Sequence, residues 1–167
     1  MAADGSISRM PDQTHSPWNR FWRYGPLVAW MAIVFFASTD AFSASHSGQL
    51  IRPVLLWLFP HISEGQISTI HFLIRKAAHL TEYAILGLLA ARAFYGSAHA
   101  GLRRRWFAVS LALIAVYAFS DEFHQSFTPS RTASVYDSFI DISGGLAALI
   151  FYFWRRIHAG PKLKEQS

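Results

Sequence analysis

Three groups of ionisable side chains stand at helical spacing between residues 76 and 141, and their types suit acid–base and anion-binding chemistry. Lys76, His79 and Tyr83 recur at i, i+3 and i+7, with Glu82 three positions beyond His79, so one helix face carries an ammonium, an imidazole and a phenol. Asp121, His124 and Gln125 share a face if the helix runs a turn past Ser120, and Glu122 stands beside them. Asp137 and Asp141 are four apart and are followed on the same face by Gly144 and Gly145, which would let a neighbouring helix approach closely. Arg131 lies on the short connection between these last two groups, after Pro129. Carboxyls and an imidazole are the usual general acids and bases, and the planar fork of arginine fits phosphate. His79, Asp121, Glu122 and Asp137 are therefore the candidate catalytic residues, and Lys76, Tyr83, Gln125 and Arg131 the candidate substrate-binding residues. The absence of cysteine excludes a thiolate nucleophile, a disulfide scaffold and a cysteine-ligated metal centre. Ser120, Ser126 and Ser130 carry no nucleophile-elbow motif, so hydrolysis or group transfer would rely on water or a substrate hydroxyl.

These groups need helices to position them. A chain of 167 residues that is 52% hydrophobic and only 15% charged is one compact, ordered domain. Residues 24–39 are charge-free and apolar all round, with Pro26 near the start, where a missing N–H costs nothing. Residues 70–95 hold their charges in the first half and a clean apolar run in the second; 106–120 are apolar between Arg105 and Asp121; 138–154 are interrupted by Asp141 and closed by Arg155 and Arg156. A soluble helix carries a polar stripe along its length, whereas here the polar residues gather at one end. The expected fold is all-α: a polytopic membrane protein with a four-transmembrane-helix bundle, spans near 22–40, 72–95, 105–121 and 138–155, within a domain over 20–157.

Charge sets the orientation. With the N-terminus inside, the inner segments hold Arg9, Arg20, Arg23, Arg92, Arg103, Arg104, Arg105, Arg155, Arg156, Lys162 and Lys164, leaving Arg52, Arg75, Lys76 and Arg131 outside. Lys/Arg bias in short loops then gives N-in/C-in. Trp22, Tyr95, Trp106 and Trp154 fall at the inner boundary, as an interfacial aromatic belt would. Residues 1–19 read as a flexible cytoplasmic tail and 158–167 as a basic one. Residues 20–44 resemble a signal peptide in outline, but the apolar run is longer than a signal core and Asp40 follows it, which favours an uncleaved span. Residues 50–60 are too short to cross and read as interfacial or re-entrant. The basic residues flank apolar runs and form no stripe with stacking aromatics, so no nucleic-acid partner is expected; the lipid bilayer is.

In this orientation seven of the ten acidic residues lie outside: Asp40, Glu64, Glu82, Asp121, Glu122, Asp137 and Asp141. Ionisable groups within a membrane must face the bundle interior and find partners. The runs RKAAHLTEYAILGLL and SDEFHQSFTPSRTASVYDSFIDISGG resemble the VanZ-like family of small bacterial membrane proteins. Lys76, His79, Tyr83, Asp121, Glu122, Gln125, Pro129, Arg131, Asp137 and Gly144 match its pattern, and Trp30 with the following VFFAS run looks like its first span. Ser130 departs from it, where the family usually has Gly, and Asp141 stands where Asn is frequent. The resemblance implies a multi-pass protein of the bacterial inner membrane with a link to glycopeptide (teicoplanin) resistance, a context without a reaction.

Three functional readings follow. The first is an envelope-facing site for a lipid-linked or phosphate-bearing substrate. The second is a hard-metal site built from His79, Asp121, Glu122 and Asp137; their spacing fits no metal motif, so no metal and no cofactor is assigned. The third is non-enzymatic: an accessory or binding protein, or a small proton-coupled transporter in which a homo-oligomer would supply enough spans. The bland reading of the same residues is a salt-bridge network that closes the outer end of the bundle.

Overall fold

The computed structural model describes residues 17–38, 44–127 and 135–158, and among them every regular element is a helix, with no strand. Six helices follow one another: α1 (Pro17–Ala37), α2 (Ala44–Leu58), α3 (Glu64–Tyr95), α4 (Ala100–Arg104), α5 (Trp106–Gln125) and α6 (Val135–His158). The all-helical expectation holds. Helices α5 and α6 are long and apolar enough to cross a membrane. Asp40, Pro129, Ser130, Arg131 and residues 1–16 and 159–167 of the two expected tails lie outside the described residues, while Pro17–Asn19 and His158, counted with the tails from the sequence, belong to α1 and α6.

Local chemistry explains the helix ends. α3 begins six residues earlier than its apolar run suggests, because Ser63 and Gln66 form a capping box: Ser63 Oγ accepts from the Gln66 N–H at 3.3 Å, and Gln66 Oε1 accepts from the Ser63 N–H at 3.0 Å. Two of the otherwise orphaned amides of the first turn are thereby satisfied, and Glu64 sits favourably against the helix dipole. The segment read as interfacial, 50–60, is mostly the second half of α2, tied to the start of α3 by the Arg52–Glu64 ion pair at 2.5 Å. Arg52 holds the Glu64 carboxyl below its usual range.

α1 also starts earlier than expected, at Pro17, so Pro26 lies inside it and not near its start. A proline there removes the N–H that would serve the carbonyl of Trp22. Arg92 of α3 supplies the replacement, its Nη2 donating to Trp22 O at 3.1 Å.

α3 is the hub, packed chiefly against α6 and then against α5 and α1. Its contact with α6 is close because glycines face it. A Cβ on Gly87 would come within 2.7 Å of the Gly145 carbonyl, and one on Gly145 within 2.8 Å of Ile114 Cγ2. Around this seam sit Tyr83, Leu86, Ile114 and Leu149, all fully buried. α1 is fastened by side-chain bonds to backbone: Trp30 Nε1 donates to Glu82 O of α3 at 2.9 Å, and Tyr117 Oη of α5 donates to Met31 O at 2.5 Å.

The distribution of polarity is inverted relative to a soluble protein. Val116, Phe123, Tyr136, Phe139, Ile150 and Phe151 face outward, while Ser110, Asp121, Gln125, Asp137, Ser138 and Asp141 are buried. So broad an apolar exterior suits lipid and would be an association hazard in water. At the end near Tyr95, aromatic rings gather as the sequence suggests: Trp106 packs edge-on to Tyr95 and Tyr152, with Arg156 over both tyrosines.

Candidate functional site

The polar residues of α3, α5 and α6 meet in one layer. On α3, the i, i+3, i+7 spacing places Lys76, His79 and Tyr83 toward α5 and α6; His79 and Tyr83 are buried and Lys76 partly so. α5 continues past Ser120 as the shared face requires, ending at Gln125 with the Ser126 N–H bonded to Glu122 O at 3.0 Å. Asp121, Glu122 and Gln125 are buried there. On α6, Asp137, Ser138 and Asp141 are buried on the same face as Gly144 and Gly145. At about 1.5 Å rise per residue, His79, Asp121 and Asp141 lie about 22–24 Å along their helices from Tyr95, Trp106 and Arg156, so the three stand at one level.

Within the layer the charges divide into two sets. In the first, Lys76 Nζ donates to Asp137 Oδ1, and Arg75 Nη2 lies 3.6 Å from Asp137 Oδ2. This carboxylate is compensated by two cations. In the second, His79 Nδ1 lies 3.3 Å from Asp141 Oδ1, at ion-pair distance but out of line for a hydrogen bond. Donor atoms of His79, Asp121 and Asp141 all fall within 4.8 Å of one another, and all three residues are buried. Gln125 Nε2 donates to Asp121 Oδ2 at 2.9 Å. The other Asp121 oxygen, both Asp141 oxygens, His79 Nδ1 and the Tyr83 hydroxyl are buried without a hydrogen-bond partner. Two carboxylates share this second set with a single imidazole, and neither Lys76 nor Arg75, both engaged at Asp137, lies in it.

Buried polar atoms are nearly always hydrogen-bonded, and a buried charge is expensive unless it is paired. In the first set the Asp137 carboxylate has a cation at each oxygen and one atom, Arg75 Nε, is buried without a partner; in the second, five atoms are. A layer built only to close the bundle would have the second set paired as completely as the first. Chemically, the second set offers lone pairs and a titratable imidazole, and the first offers two cations, 18% and 28% exposed at their side chains, within reach of an anion.

Seven of the eight residues singled out from the sequence belong to this layer: Lys76, His79, Tyr83, Asp121, Glu122, Gln125 and Asp137. Arg131 lies outside the described residues. Glu82, which the spacing placed with His79, is half-buried and lines a depression with Trp30, Ile74 and Thr81 on the α1 side. His124 turns toward α1, its ring 4.5 Å from that of Phe35. The residue that sequence reasoning left without a role is Asp141, the most deeply buried carboxylate of the layer at 0% exposure. Its position four after Asp137, with glycine three later, was the available signal.

The family model described as VanZ/LLP1 matches residues 24–156, most of the chain and every described residue of the layer, so the chain belongs to that family. No curated protein and no solved structure matches it.

Proposed function

We infer that this VanZ/LLP1 family member is a multi-pass protein of the bacterial inner membrane whose working part is the buried acid–base layer. In this reading α1, α3, α5 and α6 cross the bilayer, N-in/C-in, with α2 lying at the outer surface. A hydrocarbon core of about 30 Å then places His79, Asp121 and Asp141 in the outer leaflet, just below the headgroups. Apolar exteriors on α5 and α6 and the basic residues at the opposite end support that orientation.

The substrate class follows from the two charge sets. A phosphate entering from the outer leaflet competes with Asp137 for Lys76 and Arg75. The acid–base groups His79, Asp121 and Glu122 then stand about one helical turn deeper, where water is scarce and their electrostatic effect is large. A lipid-linked phosphate, whose tail stays in the bilayer while its headgroup enters the layer, satisfies both conditions. A link to glycopeptide resistance fits a protein that handles envelope lipids on the outer leaflet.

The observation that carries this reading is the incomplete pairing of the second set, which a purely structural network would not leave. The test uses the full chain in nanodiscs, titrated with polyprenyl phosphate, polyprenyl diphosphate and phosphatidylglycerol. Saturable binding to one of them, weakened at least tenfold by Lys76→Gln, with any turnover abolished by Glu122→Gln, is expected. Absence of saturable binding across the panel overturns the reading.

A further inference from the structure

We propose that His79, Asp121 and Asp141 form a binding site for one divalent first-row metal ion, of the Zn²⁺ or Mn²⁺ class. The proposal rests on the reading of the layer as a site and names its cofactor. The sequence reading of a metal site named His79, Asp121, Glu122 and Asp137. The fold commits Asp137 to Lys76 and Arg75 and brings Asp141 in its place beside His79 and Asp121.

Four observations converge. First, one donor atom from each of three helices lies within 4.8 Å of the others; metal–ligand bonds of about 2.0–2.2 Å put neighbouring donors about 3–4 Å apart, so small side-chain rotations close the set. Second, the atoms that would ligate are the ones with no other hydrogen-bond partner: His79 Nδ1, Asp121 Oδ1 and the Asp141 oxygens. Third, the remaining Asp121 oxygen is held by Gln125 Nε2 at 2.9 Å. This is the outer-shell contact that fixes the orientation of a carboxylate ligand, and it makes Gln125 a positioning residue. Fourth, two carboxylates and one imidazole in a buried cluster carry excess negative charge when ionised, and a divalent cation would compensate it where no lysine or arginine among the described residues does. Nitrogen–oxygen ligation with one imidazole suits Zn²⁺ and Mn²⁺ better than Ca²⁺ or Mg²⁺, which take oxygen alone. Three protein ligands leave a position open, and the buried Tyr83 hydroxyl, itself without a partner, is an additional donor of the layer.

The ion would connect the two charge sets in function. With Lys76 and Arg75 above and a metal below, a phosphate would have cations on both sides, and the ion held by His79, Asp121 and Asp141 would supply Lewis-acid polarisation of its oxygens.

The test takes the full chain, purified without chelator in nanodiscs, through elemental analysis, Mn²⁺ titration followed by electron paramagnetic resonance, and thermal unfolding. About one ion per chain is expected, with a melting temperature that rises with Mn²⁺ or Zn²⁺ concentration. Asp141→Asn and His79→Gln should each weaken binding at least tenfold and remove the thermal rise, while helical circular dichroism shows which variants fold; the wild-type titration stands whether or not they do. Failure of the wild type to bind either ion, or equal affinity in a folded Asp141→Asn or His79→Gln variant, overturns the proposal. Repeating the lipid-phosphate titration with EDTA separates the two readings. Saturable lipid binding by a protein that takes up no ion overturns the metal site and keeps the substrate class, and a bound ion without lipid binding does the reverse.

Discussion

Gly144 lies directly beneath the carbonyl of Leu80, so close that a methyl group at Gly144 would overlap that oxygen. Leu80 follows His79, and Gly144 is one turn beyond Asp141, so the backbone contact between α3 and α6 sets the distance across the candidate site.

Adding a side chain here should therefore separate the helices. Gly144→Val and Gly145→Val are expected to destabilise the fold by about 1–3 kcal/mol or more through overpacking, read as a lower melting temperature in detergent. Gly25→Ala is the contrast: its Cβ would meet only Phe21, at an ordinary 3.7 Å, and better helix propensity should leave stability unchanged or raised by up to about 1 kcal/mol.

The Lys76–Asp137 pair gives a test of compensation. Lys76→Met leaves a buried carboxylate with, among the described residues, only Arg75 as a cation, 3.6 Å away. Breaking one side of a buried pair costs about 3–5 kcal/mol, with Arg75 keeping the loss toward the lower end. Lys76→Met combined with Asp137→Asn should recover most of it, and a double-mutant cycle on unfolding midpoints measures the coupling.

Pro26 and Arg92 should also be coupled. Arg92→Leu removes the donor to the Trp22 carbonyl, a hydrogen bond worth about 0.5–1.5 kcal/mol. In a Pro26→Ala background the helix supplies its own donor, so the same Arg92→Leu change should cost measurably less. Equal costs in both backgrounds would remove the link between the two residues.

The cysteine-free chain suits single-cysteine labelling of topology. His61 and His99 are exposed at opposite ends of α3. His61→Cys should react with an impermeant maleimide in intact cells, and His99→Cys only after the membrane is opened. The opposite pattern would invert the N-in/C-in assignment.

Acid should loosen α2 from α3 in a defined window. Arg52 depresses the Glu64 carboxyl, so the folded value lies below the unfolded one; the contribution is present above the unfolded value and is lost as pH falls through the folded one. Amide protection over the second half of α2 should accordingly decline only below the ordinary carboxylate range. Glu64→Gln should lower protection at neutral pH and abolish that step. Both residues are exposed, so the effect is local.

Much of this arrangement is legible in the sequence, because helical spacing fixes which residues share a face. His79 with Tyr83, Asp121 with Gln125, and Asp137 with Gly144 all came from counting. Spacing does not say how far each face is turned when two helices cross. That rotation decides that Asp141 meets His79 while Asp137 is taken by Lys76 and Arg75, and that Glu82 faces α1. The early start of α3 was readable from Ser63 and Gln66, but an apolar run draws attention away from a polar cap. The exchange between Pro26 and Arg92 joins residues far apart in the chain, and no local pattern announces it.

The inverted polarity of the bundle has a consequence for how it comes apart. In a water-soluble protein, solvent that seeps inward meets oily side chains and is repelled. Here the thirstiest groups lie between the helices at the outer end, so the first water molecules to slip between α3, α5 and α6 there are welcomed by Asp121 and Asp141 and wedge the seam open. Loss of structure in harsh detergent should start between the helices at that end, with the lipid-facing rim the last to notice.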